Sequence, residues 1–235
     1  TEAFMQDIII IPTFNERKNI PELIKKIFSI LPSIRVLVVD DNSPDGTAEE
    51  VSILQKRFPN VSLLWRAKKE GLGPAYIAAF EKALEEKNIR SIIMMDADFS
   101  HHPKYIPDML NMLHSHDVII GSRYASGGGT EGWEWYRRLL SRCGNWYFRF
   151  ITRAPIRDCT GGFNCIRLEA LRRVDLKKIS AFKGYAFIFA LKFYLWKSGS
   201  SFLEIPIVFK NRTQGKSKIS NRIIQEGIMT PWRFL

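Results

Sequence analysis

Short runs of isoleucine and valine alternate with segments of helical period through the first half of the chain. The apolar runs, each bounded by turn-forming residues, are 7–12, 35–40, 61–65, 91–96 and 117–121. The segments between the first four runs repeat apolar residues at helical spacing, as in Ile20, Leu23, Ile24 and Ile27. Short β-branched runs are typical of strands buried in a parallel sheet. The alternation therefore predicts βαβ units with right-handed crossovers.

The 235 residues suffice for one α/β domain with a full hydrophobic core, and we expect a single domain over 1–235. The character of the sequence changes after Gly121, where a glycine run at 127–129 precedes a stretch rich in arginine and aromatic residues at 133–153. We place a boundary between two halves, 1–121 and 122–235, at this point. Near the end, we expect a strand at 202–209, a basic loop and a C-terminal helix.

The net charge of +11 predicts an anionic partner, which could be nucleic acid, a phosphorylated ligand or an anionic membrane face. The basic residues concentrate in the later half without the interleaved stacking platform of single-strand binders, which argues against nucleic acid. No window reaches the roughly 18 apolar residues of a membrane-spanning helix, and the start does not resemble a signal peptide. The first residue is Thr, so segments beyond either end remain open. Three cysteines without paired or metal-binding spacing favour a reducing compartment.

Two aspartates, Asp96 and Asp98, follow the fourth apolar run. In open α/β sheets the binding crevice lies at the carboxyl ends of the strands, and hard divalent cations need oxygen ligands there. The pair therefore predicts Mg²⁺ or Mn²⁺ bridging a diphosphate, with His101 nearby. For an isolated Asp-x-Asp, a pair of surface or helix-capping aspartates is an equally good alternative.

Polar clusters also end the first two apolar runs, at 12–16 and 40–47. An aromatic ring such as Phe14 can stack on a base, and a carboxylate such as Asp41 can accept from its N–H groups. Lys69 and Gly71, ahead of the third helix, could approach a phosphate, although such a loop also forms where only a positive φ is needed. Neither a Gly-x-Gly-x-x-Gly fingerprint nor a Walker loop follows the first strand, which argues against dinucleotide oxidoreductases and P-loop phosphotransferases.

Six segments, taken in order, resemble the motifs of the inverting nucleotide-sugar glycosyltransferases, and among them the dolichyl-phosphate mannose synthase family. They are 12–16, 39–47, 71–73, 96–101, 121–124 and 158–163, and they span most of the chain. The resemblance implies a GT-A-like α/β fold, a Rossmann-like mixed sheet flanked by helices. It also implies a metal-dependent inverting transfer of mannose from GDP-mannose to dolichyl or polyprenyl phosphate, with a β-linked product.

The same resemblance assigns site residues. Around the nucleotide sugar it places Pro12, Phe14, Glu16, Val39, Asp41, Lys69, Gly71, Asp96 and Ala97. Around the divalent metal it places Asp96, Asp98 and Ser100. Around the acceptor phosphate it places Arg123, Arg137, Ser141, Arg212 and Lys218. Asp98, Asp96 and Arg123 are the expected catalytic residues.

Physical chemistry supports an anionic acceptor. A phosphate monoester calls for cationic donors, and arginine offers two-point contacts that lysine lacks. Because the attacking oxygen is already charged, the enzyme needs little general-base help. Its tasks are alignment, metal stabilisation of the leaving diphosphate and exclusion of water.

The chain departs from the family pattern at three positions. Ile188 and Ala190 stand where the family commonly has Gln and Glu, and Asn164 stands where arginine is usual. Two alternatives therefore stay open. One is transfer of glucose or another sugar from a UDP donor to the same lipid, and the other is a non-catalytic relative that binds lipid phosphate.

The stretch 133–151 has the pattern of an interfacial helix. Apolar residues fall near one face, and arginines supply positive charge. The indoles of Trp133, Trp135 and Trp146 favour the headgroup level of a membrane, while an ordinary amphipathic helix packed on the sheet is the alternative. We expect a membrane-associated enzyme at the cytoplasmic face of the membrane, which in a eukaryote would be that of the endoplasmic reticulum. Whether a separate subunit anchors it to the membrane stays open.

Overall fold

The computed structural model describes residues 5–182, 184, 186–210 and 229–234. Its strands are β1 (Gln6–Thr13), β2 (Arg35–Asp40), β3 (Val61–Trp65), β4 (Ile89–Met94), β5 (Val118–Ser122), β6 (Gly129–Glu131), β7 (Asn164–Arg167), β8 (Phe202–Pro206) and β9 (Val208–Lys210). Its helices are α1 (Ile20–Ile30), α2 (Thr47–Arg57), α3 (Leu72–Glu85), α4 (Ile106–Met112), α5 (Trp135–Thr152), α6 (Leu168–Arg172), α7 (Leu176–Ser180) and α8 (Ala186–Lys197). Short 3-10 helices cover Pro103–Tyr105 and Thr230–Phe234.

A seven-stranded sheet in the order β3-β2-β1-β4-β7-β5-β8 forms the centre of the described fold, and β6 pairs with β9 beside it. In the main sheet β7 runs antiparallel to both neighbours, and the remaining strands are parallel to one another. The five apolar runs are strands within two residues of their predicted bounds. The mixed sheet flanked by helices confirms the predicted fold class.

Apolar side chains at alternate positions of the central strands belong to two hydrophobic cores, one on each face of the sheet. Ile8 and Ile10 of β1 pack against α3 and α8, whereas Ile9 and Ile11 pack against α1. Burial on both faces explains why the strands appear in the sequence as continuous apolar runs.

The prediction of a single strand at 202–209 was wrong, because this segment forms two strands in different sheets. Residues 202–206 extend the main sheet as β8, and residues 208–210 belong to the small sheet as β9. The chain changes sheets at Ile207, whose N–H donates to the carbonyl of Ser122 at 3.0 Å and whose carbonyl accepts from Gly129 at 3.0 Å. Residues 211–228 lie outside the described residues, and the described end of the chain is a 3-10 helix.

Strands from 122–235 complete the sheet begun by 1–121. The strand β7 lies between β4 and β5, and β8 pairs with β5. Within the described ranges, no helix combines the length and the apolar character needed to cross a bilayer. The cysteines at 143, 159 and 165 are all free thiols.

The chain reverses its direction across the sheet at β1. It runs outward from β1 to β2 and β3, and then returns to the other side of β1 as β4. The loops that follow β1 and β4 therefore leave in opposite directions and open a crevice at the carboxyl ends of these strands.

Gly73, at the start of α3, tests the packing of this helix. A Cβ on Gly73 would lie 2.8 Å from the carbonyl oxygen of Phe182 and 3.2 Å from the Cβ of Phe187. We expect Gly73→Ala to lower the free energy of unfolding by about 1–3 kcal/mol, because a backbone carbonyl cannot rotate away. The measurement is urea unfolding. Gly144→Ala is the control, because a Cβ there meets nothing within 4 Å, and it should raise stability by about 1 kcal/mol. Equal effects of the two changes would contradict this packing.

Candidate active site

The loops that follow β1, β2 and β4 meet at the carboxyl edge of the sheet. Each contains one non-glycine residue with a left-handed backbone, namely Asn15 (φ 61°), Asn42 (φ 54°) and Phe99 (φ 64°). Asparagine tolerates this conformation, but a bulky residue such as Phe99 adopts it at a cost in strain. Such strain concentrates at functional sites, and here it lies between Asp98 and Ser100.

Asp41 ties the end of β2 to the loop ahead of α3. Its carboxylate accepts from the N–H groups of Glu70 (3.2 Å) and Gly71 (3.0 Å) and from Nη1 of Arg66 (2.5 Å). Asp41 and Gly71, which were both predicted to lie around the nucleotide sugar, are thus in direct contact. The contacts show that Asp41 shapes this loop, a task that the sequence analysis did not assign to it.

Phe14 and Lys69, also predicted around the donor, lie against each other. The Nζ of Lys69 sits 3.5 Å from the centroid of the Phe14 ring, a cation–π distance. One face of the Phe14 ring, which was predicted to stack on a base, is therefore covered by an ammonium group.

The remaining donor-side residues line the same edge. Pro12 and Val39 are register partners across β1 and β2. Val39 is fully buried in the core, and its carbonyl accepts from the hydroxyl of Thr13 at 3.3 Å. Oε2 of Glu16 accepts from Nδ2 of Asn19 at 2.7 Å, and its backbone N–H donates to Oγ1 of Thr47 at 3.0 Å.

Asp96 and Asp98 follow β4 as predicted and differ in exposure. The Asp96 side chain is 33% exposed, whereas Asp98 is 4% exposed and the intervening Ala97 is buried. Oδ1 of Asp98 accepts from both the backbone N–H (3.1 Å) and the hydroxyl (2.5 Å) of Ser100. Ser100, predicted as a metal ligand, therefore donates to the carboxylate and orients it.

The carboxylates suit a cation that a diphosphate shares. Among the described residues, no group of three or more His, Cys, Asp or Glu side chains could hold a metal ion. Mg²⁺ is commonly bound through one or two carboxylates together with substrate phosphates. Asp96 and Asp98 fit that donor set, and they do not make an all-protein cage.

His101 lies between the two aspartates and the residues predicted around the acceptor phosphate. Its Nδ1 accepts from the backbone N–H of Asp96 at 3.0 Å, and its ring stacks on Phe163 with centroids 5.0 Å apart. The same ring makes a T-shaped contact with Phe209, with the two ring centroids 5.6 Å apart. Burial lowers the pKa of His101, although Asp96 and Asp98 act to raise it, so the neutral ring is favoured at neutral pH.

Arg123, beyond Phe209, is held by a buried carboxylate. Its Nε and Nη2 donate to the two oxygens of Asp158 at 2.8 and 2.6 Å, and its backbone N–H donates to Oδ2 at 2.9 Å. Burial alone would raise the pKa of Asp158, but Arg123 and Lys192 hold it well below its ordinary value. The sequence analysis assigned no role to Asp158.

The second predicted arginine lies beside the first. The Cζ atoms of Arg123 and Arg137 lie 5.3 and 4.0 Å from the ring centroid of Trp133. The prediction that Trp133 faces a membrane was wrong: its side chain is 6% exposed because both guanidinium groups cover it. Oγ of Ser141 accepts from the hydroxyl of Tyr124 at 2.6 Å. Arg212 and Lys218 lie outside the described residues.

Comparisons with known proteins show which family the chain belongs to. Glycosyl transferase family 2 matches residues 8–178, and the chain belongs to this family. The chain is 38% identical over 223 residues to polyprenol monophosphomannose synthase of Mycolicibacterium smegmatis, covering 94% of this chain and 83% of that protein. It is 36% identical to undecaprenyl-phosphate mannosyltransferase of Micrococcus luteus, covering 98% and 94%. The resemblance to the polyprenyl-phosphate mannosyltransferases is thereby confirmed, and the chain is a glycosyltransferase of that type.

Solved structures show the same fold at low identity. Glucosyl-3-phosphoglycerate synthase of Mycobacterium tuberculosis, solved with Mn²⁺, UDP and glucosyl-3-phosphoglycerate, has a TM-score of 0.68 and 14% identity, covering 98% of this chain and 80% of that one. A mannosyltransferase of Pyrobaculum calidifontis, solved with GDP-Man and Mn²⁺, has a TM-score of 0.62 and 17% identity, covering 95% and 61%.

The low pKa of Asp158 makes stability depend on pH. A carboxyl group whose pKa is lower in the folded than in the unfolded state stabilises the fold above its ordinary pKa, 3.8 here, and loses this contribution as the pH falls. We expect Asp158→Asn to lower the free energy of unfolding by about 3 kcal/mol near pH 7, because it breaks a buried pair. The difference from wild type should narrow below about pH 4. Urea unfolding across this range measures it, and a difference that does not change with pH would contradict the assignment.

Proposed function

We propose that this polyprenyl-phosphate mannosyltransferase takes mannose from GDP-mannose, with a divalent cation and inversion of the anomeric carbon, to give a β-linked lipid phosphate. Residues 1–121 supply the donor side and 122–235 the acceptor side. The observation that supports the proposal is the arrangement around His101. The backbone N–H of Asp96 donates to this ring, the ring contacts Phe209, and the Arg123 guanidinium group lies 5.5 Å from the Phe209 centroid.

The donor side suits a nucleotide diphosphate. Asp96 and Asp98 would hold Mg²⁺ or Mn²⁺, which neutralises the charge of the departing diphosphate when it is bound. Lys69, which lies against Phe14, provides a positive charge nearby, whereas the N–H groups of Glu70 and Gly71 already donate to Asp41. In this proposal Phe14 and Glu16 contact the base and ribose, and Lys69 moves from the Phe14 ring to the phosphates.

The acceptor side suits a phosphate monoester. Arg123 and Arg137 meet at Trp133, and two of the Arg123 nitrogens are fixed by Asp158, which sets the plane of its guanidinium group. An acceptor oxygen that is already anionic needs alignment more than deprotonation. Ser141, and Arg212 and Lys218 from the basic loop, complete this proposed phosphate site.

The departures from the family pattern lie in the core. Ile188 and Ala190 are buried on α8, and Asn164 is buried where β7 pairs with Met94 of β4. Apolar residues at 188 and 190 therefore add to the packing beneath the sheet. This placement favours a working transferase over a non-catalytic relative. Transfer from a UDP-sugar remains the second candidate, and the donor assay below separates it.

One face of α5 suits a membrane surface. Its exposed side chains include Trp135 (74% exposed), Tyr136, Leu139, Leu140, Trp146 and Phe150. The opposite face buries Asn145, Phe148 and Thr152 against the body of the protein. The two interpretations of this stretch, an interfacial helix and a helix packed on the protein, therefore each describe one face of α5. We place the exposed face at the cytoplasmic leaflet, where basic residues favour anionic lipid.

Asp98→Asn tests the donor side. The change keeps the shape and removes the charge, so we expect mannosyl transfer to fall at least about a hundredfold. The Mn²⁺ dependence of GDP-mannose binding should also disappear. Calorimetry with GDP-mannose and UDP-glucose, together with recovery of labelled sugar in a chloroform-soluble product, measures both effects. Asp108→Asn, an exposed carboxylate on α4, is the control and should behave as wild type. Near-normal transfer by Asp98→Asn would reject the metal assignment.

A double change on α5 tests the membrane face. Trp146 and Phe150 stack with centroids 5.4 Å apart on the exposed side. We expect their replacement by serine to lower partition onto anionic vesicles at least about tenfold, because each ring contributes more than 1 kcal/mol when buried. Vesicle co-sedimentation measures this effect. Trp65→Ser is the matched control, because Trp65 is 55% exposed on the edge strand β3, away from α5. If both variants lost affinity equally, a general effect of surface aromatics would replace this proposal.

A further inference from the structure

Lys192 lies in the interior of the protein although it carries a charge. It sits on α8 with 1% of its surface exposed, and its Nζ donates to the carbonyls of Asp158 (2.7 Å) and Gly161 (2.8 Å). Burial lowers the pKa of Lys192 to about 8, while Asp158 acts to raise it. An ammonium group in an apolar interior is costly unless it is paired and hydrogen-bonded. Its presence in a helix that is otherwise almost entirely apolar calls for a specific task.

Lys192 is one of four side chains from outside the loop 157–161 that bond its backbone, together with Asn145, Asn164 and Glu204. This loop has no regular secondary structure, so its backbone groups need other partners. From β8, the Glu204 carboxylate accepts from the N–H groups of Asp158 (2.8 Å) and Arg157 (3.0 Å). From α5, Oδ1 of Asn145 accepts from the N–H groups of Cys159 (2.7 Å) and Thr160 (3.2 Å). Lys192 supplies the donors for two carbonyls of the same loop.

The loop 157–161 matters because two of its side chains bond Arg123 in the candidate active site. The Asp158 carboxylate binds the Arg123 guanidinium through two nitrogens. The hydroxyl of Thr160 accepts from the same arginine. At the other end, a Cβ on Gly162 would lie 3.4 Å from Cε1 of His101, so the backbone of Gly162 runs close to the ring that binds Asp96. A shift of this loop would therefore move Arg123 directly.

We propose that Lys192 is a positioning residue for the acceptor phosphate: it fixes the Asp158 and Gly161 carbonyls so that Asp158 presents Arg123 in one orientation. The inference rests on the function proposed above and extends it to a residue that touches no substrate. Lysine suits the task, because its four-carbon stem crosses the apolar core and its three donors satisfy both carbonyls. An apolar residue of similar length would remove the Lys192 donor from the buried Asp158 carbonyl and would leave the Gly161 carbonyl with the Asn164 amide at 3.2 Å.

The test is Lys192→Met, with KM measured separately for each substrate. We expect KM for phytanyl phosphate to rise at least about tenfold, the size of one lost hydrogen bond to a charged group. KM for the sugar nucleotide should rise less than KM for phytanyl phosphate, because Asp158 and Thr160 bond Arg123 directly, whereas the loop reaches Asp96 only through Gly162 and His101. Leu195→Ala is the control, because Leu195 is fully buried on the same helix and does not bond to the loop. It should lower the melting temperature and leave both KM values unchanged.

Two outcomes would overturn the inference. One is an unchanged KM for phytanyl phosphate in Lys192→Met, and the other is an equal rise in Leu195→Ala, which would indicate a general loss of packing. If Lys192→Met does not fold, Glu204→Gln loosens the same loop more gently and should shift the same KM in the same direction. The wild-type protein separates this inference from the proposed function. A wild type that binds phytanyl phosphate but transfers no sugar would reject the function alone, and the ratio of its phytanyl phosphate affinity to that of Lys192→Met would still test Lys192.

Discussion

Strand β1 is hydrogen-bonded to β2 on one side and to β4 on the other, and both run parallel to it. This pairing makes β1 the place where the chain reverses its direction across the sheet. Loops that would otherwise lie on one side diverge there, and the crevice between them opens beside Asp96. The proposed donor side follows from this backbone arrangement, because its polar residues need only occupy the first positions beyond each strand.

The acceptor side depends instead on buried side-chain contacts. Arg123 follows β5, but its orientation comes from Asp158. The backbone of Asp158 is held by Lys192 of α8 and Glu204 of β8, and Asn145 of α5 bonds the next two residues of the loop. A guanidinium group fixed in this way loses little freedom when it meets a phosphate, so more of the contact energy is available for binding. The arrangement also keeps the charges balanced, with Arg123 and Lys192 set against Asp158 and Glu204.

The sequence predicts the donor side better than the acceptor side, for physical reasons. Asp96 and Asp98 stand directly after a β-branched run, so their place at the strand end can be read from local pattern. The strand β7 is only four residues long, with no clear period, and was missed. Trp133 was misassigned, because local pattern does not show which of several aromatics will be covered by arginine. Lys192 interrupts an apolar segment, a signal that could have marked it, but its partners lie about 30 residues away.

Helix α5 joins the proposed membrane surface to the acceptor site. Trp146, on its exposed face, is the neighbour of Asn145, whose amide binds the loop that carries Asp158. If α5 lies on a lipid surface as proposed, Asn145 would connect that surface to the loop that orients Arg123. In the proposed orientation, the bilayer that delivers the acceptor also bears on the helix that anchors the phosphate site. An enzyme with a water-soluble donor and a lipid acceptor gains from this linkage, because the acceptor side is then fully braced where its substrate is found.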